Sequence, residues 1–237
     1  ALPIYSGTGS FTVGAGTFTY TVFDANECSS VTSITVTQPS AVVASASAGS
    51  ISCNGGTTTV SVSATGGTPS YTGTGSFTVS AGTSTYTVTD AHGCTSITSV
   101  TVTQPSALSA SASAGTIACY GGSTSVTISA TGGTPSYTGT GTMTQSAGSQ
   151  TYVVMDANGC VATVSVTLTQ PTKVEGSVVT TTPSSCAGND GSATVSATGG
   201  SGSYSYSWNT TPSQSGATAT GLGIGTYVVT ITDGNGC

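Results

Sequence analysis

The chain has 237 residues, of which 3% are charged: one is basic, Lys173, and seven are acidic. An average soluble domain is roughly 25% charged. One lysine and no arginine exclude a binder that tracks nucleic-acid phosphates and a polybasic membrane-surface protein alike. No apolar run reaches the roughly 20 residues that span a bilayer, so no membrane insertion is expected in this stretch. No signal peptide is expected in this stretch. Hydrophobic residues still make up 35%, and their β-branched enrichment predicts a folded, all-β, extracellular protein.

Internal repetition comes next. The run PIYSGTGSFTVGAG begins at Pro3, and near-copies begin at Pro69 and Pro135, a period of 66 residues. The triplet TQP recurs at Thr37–Pro39, Thr103–Pro105 and Thr169–Pro171. The sequence therefore reads as four units: an incomplete copy over 1–38, full copies over 39–104 and 105–170, and a longer copy over 171–237 that lacks its last strand. It is expected to be a window on a longer array. Such a period is too long for a solenoid coil and suits one small sandwich per repeat. The expected fold class is all-β: a tandem array of small, disulfide-linked, immunoglobulin-like β-sandwich repeats, six or seven strands each. The TQP segments are expected to be short, stiff junctions, because Pro fixes φ and blocks further pairing.

Within a copy the period-2 alternation is plain. Over Thr58–Ala64, Val60, Val62 and Ala64 share one face and Ser61 and Ser63 the other; Val126, Ile128 and Ala130, then Ala193, Val195 and Ala197, are the counterparts. A later strand turns Tyr86 and Val88 inward, with Tyr20 and Val22, Tyr152 and Val154, and Tyr227 and Val229 as equivalents. After the cysteine, Val100 and Val102 share a face with Ile97 out of phase, which predicts a bulge.

The seven cysteines fall in two phases: Cys53, Cys119 and Cys186 precede the Val/Ser strand, while Cys28, Cys94, Cys160 and Cys237 follow an aspartate turn. Pairing inside a unit gives Cys53–Cys94, Cys119–Cys160 and Cys186–Cys237, with Cys28 pairing upstream of residue 1. Pairing between neighbouring units gives Cys28–Cys53 and Cys94–Cys119. Both stay open. The absence of Cys-x-x-Cys pairs and the single histidine favour disulfides over zinc, and disulfides imply an oxidising compartment.

Other candidates are sparse. His92 follows Asp90 by two residues, where the other copies carry Asn26, Asn158 and Asn235 beside Asp24, Asp156 and Asp233. These are turn formers and predict Asx turns. Calcium at these aspartates, with Asp190 added in the fourth unit, is a secondary reading, since calcium wants six to eight oxygens. Tyr204, Tyr206 and Trp208 alternate and so share a face: core if inward, a glycan-stacking platform if outward. Lys173 with Glu175 could support an isopeptide bond, Asn209 opens a glycosylation sequon, and the Thr85–Thr89 ladder is an ordinary exposed strand face. No cofactor and no enzymatic activity are expected, since paired carboxylates and phosphate-cradling loops are both missing.

The order Cys-x-Gly, Val/Ser strand, Thr-Gly-Gly, Tyr-bearing strand, Gly-Thr-Tyr, Asp-x-Asn-Gly-Cys and Thr-Gln-Pro resembles the SprB-type repeat of Bacteroidota cell-surface adhesins. The fourth unit carries it most fully: Cys186-Ala-Gly-Asn-Asp-Gly, Ala197-Thr-Gly-Gly, Tyr204-Ser-Tyr-Ser-Trp208, Gly225-Thr-Tyr and Asp233-Gly-Asn-Gly-Cys237. The earlier units depart from it, replacing Tyr-x-Tyr-x-Trp by Tyr-Thr-Gly-Thr-Gly. The resemblance implies a very large, repeat-built cell-surface adhesin exported by type IX secretion, in some members carried along the cell during gliding. The function expected is a structural stalk or filament segment of such an adhesin; the alternative is a glycan-binding module in the fourth repeat. Expected partners are neighbouring repeats of the same chain, other copies through Thr/Ser faces in a filament, and surface glycans, with no nucleic acid.

Overall fold

A computed structural model describes residues 6–186 and 188–237. Pro3 and the rest of residues 1–5 lie outside the described residues. The described chain is all strand, turn and loop, and it divides into two compact units: one of residues 1–51 and 55–104, the other of residues 52–54 and 105–237.

In the first unit, β1 (Gly16–Phe23) and β2 (Ser29–Val36) form an antiparallel hairpin. Next come β3 (Val43–Ala48), β4 (Thr58–Thr65) and β5 (Gly75–Val79), a three-stranded antiparallel sheet with β4 in the middle. The hairpin of β6 (Gly82–Thr89) and β7 (Thr95–Val102) completes the repeat. Ser96 Oγ on β7 accepts from the Ala44 amide on β3 at 3.1 Å, tying the two layers together. The alternation expected from sequence is present: Val60, Val62, Val88 and Val102 are buried with Ile51 in one core.

The second unit repeats this plan. Strands β8 (Ser109–Ala114), β9 (Ser123–Thr131) and β10 (Gly141–Ser146) form the three-stranded sheet, and β11 (Gly148–Met155) and β12 (Val161–Leu168) the hairpin. Their core is Ile117, Val126, Ile128, Val154 and Leu168. The last repeat has β13 (Glu175–Thr182), β14 (Gly191–Thr198) and β16 (Thr218–Leu222) in one sheet, and β15 (Tyr204–Trp208) paired with β17 (Val229–Asp233) in the other. These are tandem small β-sandwich repeats.

Three local expectations are corrected. The two full repeats, 39–104 and 105–170, have five strands each among the described residues, not six or seven. In the earlier repeats the Tyr-Thr-Gly-Thr-Gly stretch makes only single bridges, Thr72 with Thr89 and Thr138 with Met155. Gly73 and Gly139 there take φ near +80° with the carbonyls of Thr87 and Val153 against the space a Cβ would need, so the strand stops. In the fourth repeat Tyr-x-Tyr-x-Trp runs on as β15. Second, β6 and β7 pair without a bulge, and Ile97 stands on the outer face, 68% exposed. Third, Ser205 pairs with Thr232 as Thr72 pairs with Thr89. That makes Val229 and Ile231, not Tyr227 and Val229, the counterparts of Tyr86 and Val88. The Gly-Thr-Tyr match had set the strand two residues out.

The outer faces carry hydroxyl ladders. Thr83 and Thr101 Oγ1 lie 2.8 Å apart, as do Ser149 Oγ and Thr167 Oγ1, and Thr127 meets Thr142 at 2.9 Å. Cross-strand hydroxyl pairs of this kind contribute roughly 0.2–1 kcal/mol each.

Candidate functional site

Each repeat has two chemically distinct ends. At the leading end the chain comes in through TQP and runs into the first strand, and the Gly-Gly turn and the aspartate turn meet it there. The Gly67 amide donates to Ser40 O at 2.7 Å, and the Thr68 amide to Asp90 Oδ2 at 2.9 Å. The same pair recurs as Gly133 to Ser106 O and Thr134 to Asp156 Oδ2, at 2.9 and 2.8 Å. In the fourth repeat it is Gly200 to Thr172 O and Ser201 to Asp233 Oδ2, at 2.9 and 2.8 Å. Glycine is required at the second position: φ is +60° at Gly67 and Gly133, and a Cβ there would stand 2.5 Å from the aspartate Oδ2. A tyrosine closes the turn from the other side. Tyr71, Tyr137 and Tyr204 donate their hydroxyls to Gly66, Gly132 and Gly199 O at 2.6, 2.7 and 2.6 Å.

The other aspartate oxygen holds the cysteine. Asp156 Oδ1 accepts from the Asn158 and Cys160 amides, both at 2.9 Å. Asp90 does so for His92 and Cys94, and Asp233 for Asn235 and Cys237. These are the Asx turns expected from sequence. Every carboxylate of the three accepts three amide protons, which favours its charged form. The Thr68 amide, foremost, holds the Asp90 carboxyl below the usual range, the Thr134 amide does so for Asp156, and the Cys237 amide for Asp233; burial opposes the shift in each case. Asp190 is lowered too, chiefly by the Ser185 amide. With the oxygens so used, these turns offer a cation few lone pairs. Among the described residues no group of three or more His, Cys, Asp or Glu could hold a metal ion. His92 Nδ1 lies 2.7 Å from Thr68 Oγ1, a turn contact.

At the trailing end sits the loop between the first two strands of the repeat, which carries the other cysteine. Gln104, in the second TQP triplet, accepts from the Gly55 amide at 2.8 Å, and Gln170 from the Gly121 amide at 2.8 Å. Sequence reading missed these glutamines: their partners lie 49 residues back, and the recurrence of Gln inside TQP was the only signal.

The disulfides join trailing end to leading end. Cys53 bonds Cys160 and Cys119 bonds Cys237, each with Cα atoms 5.6 Å apart. Cys28, Cys94 and Cys186 are exposed thiols. Among the described residues no bond lies inside a unit; both run between neighbouring units, as the second reading has it, but through other cysteines than Cys28–Cys53 and Cys94–Cys119, and strand direction explains why. Because β3 and β4 are antiparallel, Val43 opposite Thr65 marks the leading end and Ala48 opposite Val60 the trailing end. Cys94 sits with Asp90 at the first and Cys53 at the second. The eight residues of β4 separate them by about 23 Å at ~3.3 Å per residue, against a disulfide limit of roughly 7 Å. Cys94–Cys119 is absent too: Cys119 is bonded to Cys237, and Cys94 is an exposed free cysteine.

Each bond is seated by polar contacts. Asn158 Nδ2 donates to Ser52 O at 3.0 Å and to Thr134 Oγ1 at 2.8 Å, and Asn235 Nδ2 donates to Ala118 O at 3.1 Å. The asparagines after the aspartates thus bind the residue before the incoming cysteine. Cys119 and Tyr120 lie in a groove walled by Thr172, Lys173, Val174 and Gly200.

Trp208 is 4% exposed and donates its indole N–H to Gly216 O at 2.9 Å, in a core with Val195, Ala219 and Leu222 against which Tyr206 packs. Tyr204 is bound at the Gly-Gly turn. The three aromatics share one face, and that face is inward. Among the described residues no helix is long and apolar enough to cross a membrane.

Comparison with curated proteins gives no match. The family model described as SprB repeat matches residues 178–212, from β13 through the Tyr-x-Tyr-x-Trp strand. Over residues 178–212, within its fourth repeat, the chain is thus similar to a SprB-type repeat.

Proposed function

We propose that this chain is a load-bearing stalk segment of a cell-surface adhesin, in which each repeat is covalently fastened to the next. The observation that carries it is the disulfide seam: a bond from the trailing end of one repeat to the leading end of its successor. A folding staple would close on its own small domain. This one instead links successive domains, so that tension passes through sulfur as well as through the TQP segment. Sandwich repeats of about 66 residues bury only around 60% of their extended surface and are marginal alone. A bond closing a loop of about 100 residues adds about 4.7 kcal/mol in the chain-entropy model.

The role is structural and without catalysis. Export by the type IX route, a part in gliding, and lateral packing of the hydroxyl faces into filaments belong to the same proposal. Support for lateral packing comes from a sequence in which 3% of residues are charged, which lacks the repulsion that keeps proteins apart. Electron microscopy of cells bearing the protein tests the proposal. The expected result is surface threads with an axial repeat of about 30–40 Å, from eight-residue strands at ~3.3 Å per residue plus their loops. Thicker helical filaments would add lateral packing to the stalk. Absence of the protein from the cell surface would overturn the reading.

A further inference from the structure

We propose that the Asn158–Gly159 and Asn235–Gly236 steps are latent deamidation sites, kept closed by the aspartate turn and the seam contacts, and that conversion there loosens the disulfide beside them. Asn-Gly is the peptide step most prone to this reaction, because glycine has no side chain to shield its nitrogen. The chain has three such steps, at Asn54, Asn158 and Asn235. The last two stand at the leading ends of the third and fourth repeats, two residues before Cys160 and Cys237, and both are exposed to water. The chemistry is the same whether or not the chain carries load.

The reaction needs water and no other reactant. The Gly159 nitrogen gives its proton to solvent and attacks Asn158 Cγ. A Cγ–N bond forms, the Cγ–Nδ2 bond breaks, and Nδ2 leaves as ammonia, which closes a succinimide ring. Water then opens the ring. Breaking the new Cγ–N bond gives aspartate. Breaking the bond from the Asn158 carbonyl carbon to Gly159 N gives isoaspartate, whose backbone runs through the side chain. Either way an amide becomes a carboxylate and no electrons are exchanged.

Hydrogen bonds hold both reacting nitrogens. The Gly159 amide donates to Asp156 O at 3.1 Å and the Gly236 amide to Asp233 O at 3.0 Å, so each attacking nitrogen has its proton engaged. The amides on either side, of Asn158 and Cys160 and of Asn235 and Cys237, are fixed on Asp156 Oδ1 and Asp233 Oδ1. The leaving nitrogens are held as well, Asn158 Nδ2 on Ser52 O and Thr134 Oγ1, and Asn235 Nδ2 on Ala118 O. Ring closure takes the proton from the glycine and turns the asparagine onto it, so both sets of bonds must break first. Among the aspartate turns only that of the fourth repeat has an Asp-Gly step, and the Gly234 amide there donates to Ser201 Oγ at 2.8 Å. His92 fills the asparagine position in the second repeat and has no amide to lose. Conversion at 158 sets a carboxylate, which has no proton to give, against Ser52 O. Acceptor then faces acceptor, and the contact that seats Cys53 on Cys160 is gone.

The test uses the oxidised 237-residue chain with its free thiols blocked, incubated in mild alkali both folded and in concentrated guanidinium, the disulfides intact in each. Conversion at every asparagine is read by peptide mass spectrometry. The folded chain should convert Asn158 and Asn235 at least about tenfold more slowly than the unfolded one, since two or more hydrogen bonds must break first. Thr134→Val keeps the amide bound to Asp156 Oδ2 and removes only one acceptor of Asn158 Nδ2. It should raise conversion at Asn158 severalfold and leave Asn235, in the same molecule, unchanged. Asn158→Asp should speed reduction of Cys53–Cys160 by dithiothreitol severalfold, with Cys119–Cys237 reduced at the wild-type rate. Equal conversion in folded and unfolded chains, a Thr134→Val effect that is absent at Asn158 or shared by Asn235, or a wild-type reduction rate for Cys53–Cys160 in Asn158→Asp would each overturn the proposal.

Discussion

Interleaving of the two disulfides makes a mechanical prediction that can be worked from residue numbers. Cys119 lies inside the loop that Cys53–Cys160 closes, and Cys160 inside the loop of Cys119–Cys237. In an unfolded chain under tension the shortest covalent path from residue 53 to residue 237 crosses to Cys160, returns 41 residues to Cys119, and crosses to Cys237. The reduced path has 184 residues, so the two bonds together hide 143. At about 3.5 Å per extended residue, reduction releases about 500 Å. Removing one bond releases far less. Without Cys53–Cys160 the path is the 66 residues from 53 to 119, which frees only 25, or about 90 Å. Without Cys119–Cys237 it is the 77 residues from 160 to 237, which frees 36, or about 125 Å. The gains are strongly non-additive, and either bond alone protects most of the length. Single-molecule pulling on the oxidised protein and on the Cys53→Ser/Cys160→Ser and Cys119→Ser/Cys237→Ser variants, each in a Cys28→Ser/Cys94→Ser/Cys186→Ser background, measures this. A total release on reduction of only about 145 Å, the 41 residues of a Cys119–Cys160 loop inside one repeat, would refute the reasoning.

Four further outcomes are expected from chemical or thermal unfolding. Tyr137→Phe removes the hydroxyl bound to Gly132 O and should cost about 0.5–1.5 kcal/mol. The buried Tyr152 hydroxyl meets no protein partner, so Tyr152→Phe should leave stability equal or higher. Trp208→Ala should cost about 3–5 kcal/mol, whereas a surface stacking platform would lose almost nothing. The carboxyls of Asp90, Asp156, Asp190 and Asp233 are lowered in the folded state, so their contribution is complete above the unfolded value of about 3.9. It is lost as pH falls through the lower folded values. Melting temperature should therefore hold from pH 7 to about 5 and drop below about 4; a melting temperature unchanged down to pH 2.5 would contradict the turn assignment.

The sequence made some of this legible because those features are local. Val60 and Val62 alternate with serines, and Asp90 and Asp156 sit two and four residues before the amides they bind. A window of seven residues holds each pattern. What was missed depends on the far end of a strand. Nothing near Cys53 says that Asp90 is packed under Gly67, eight strand residues away, yet that placement decides which cysteines can meet. The Gly-Thr-Tyr motif misled in the fourth repeat because Tyr227 there precedes its aspartate by six residues, where Tyr86 and Tyr152 precede theirs by four. The extra strand β15 appeared where Tyr-x-Tyr-x-Trp replaced two left-handed glycines, a difference visible in sequence but not read as a change of pairing.

The seam itself is open to direct chemical mapping. Cleavage of the oxidised, thiol-blocked protein before each aspartate yields fragments 1–23, 24–89, 90–155, 156–189, 190–232 and 233–237. Mass spectrometry without reduction should find 24–89 joined to 156–189, and 90–155 joined to 233–237, as two separate species. Fragments 24–89, 90–155, 156–189 and 233–237 joined in a single linear series would place every bond inside a repeat and contradict a stalk fastened from each repeat to the next.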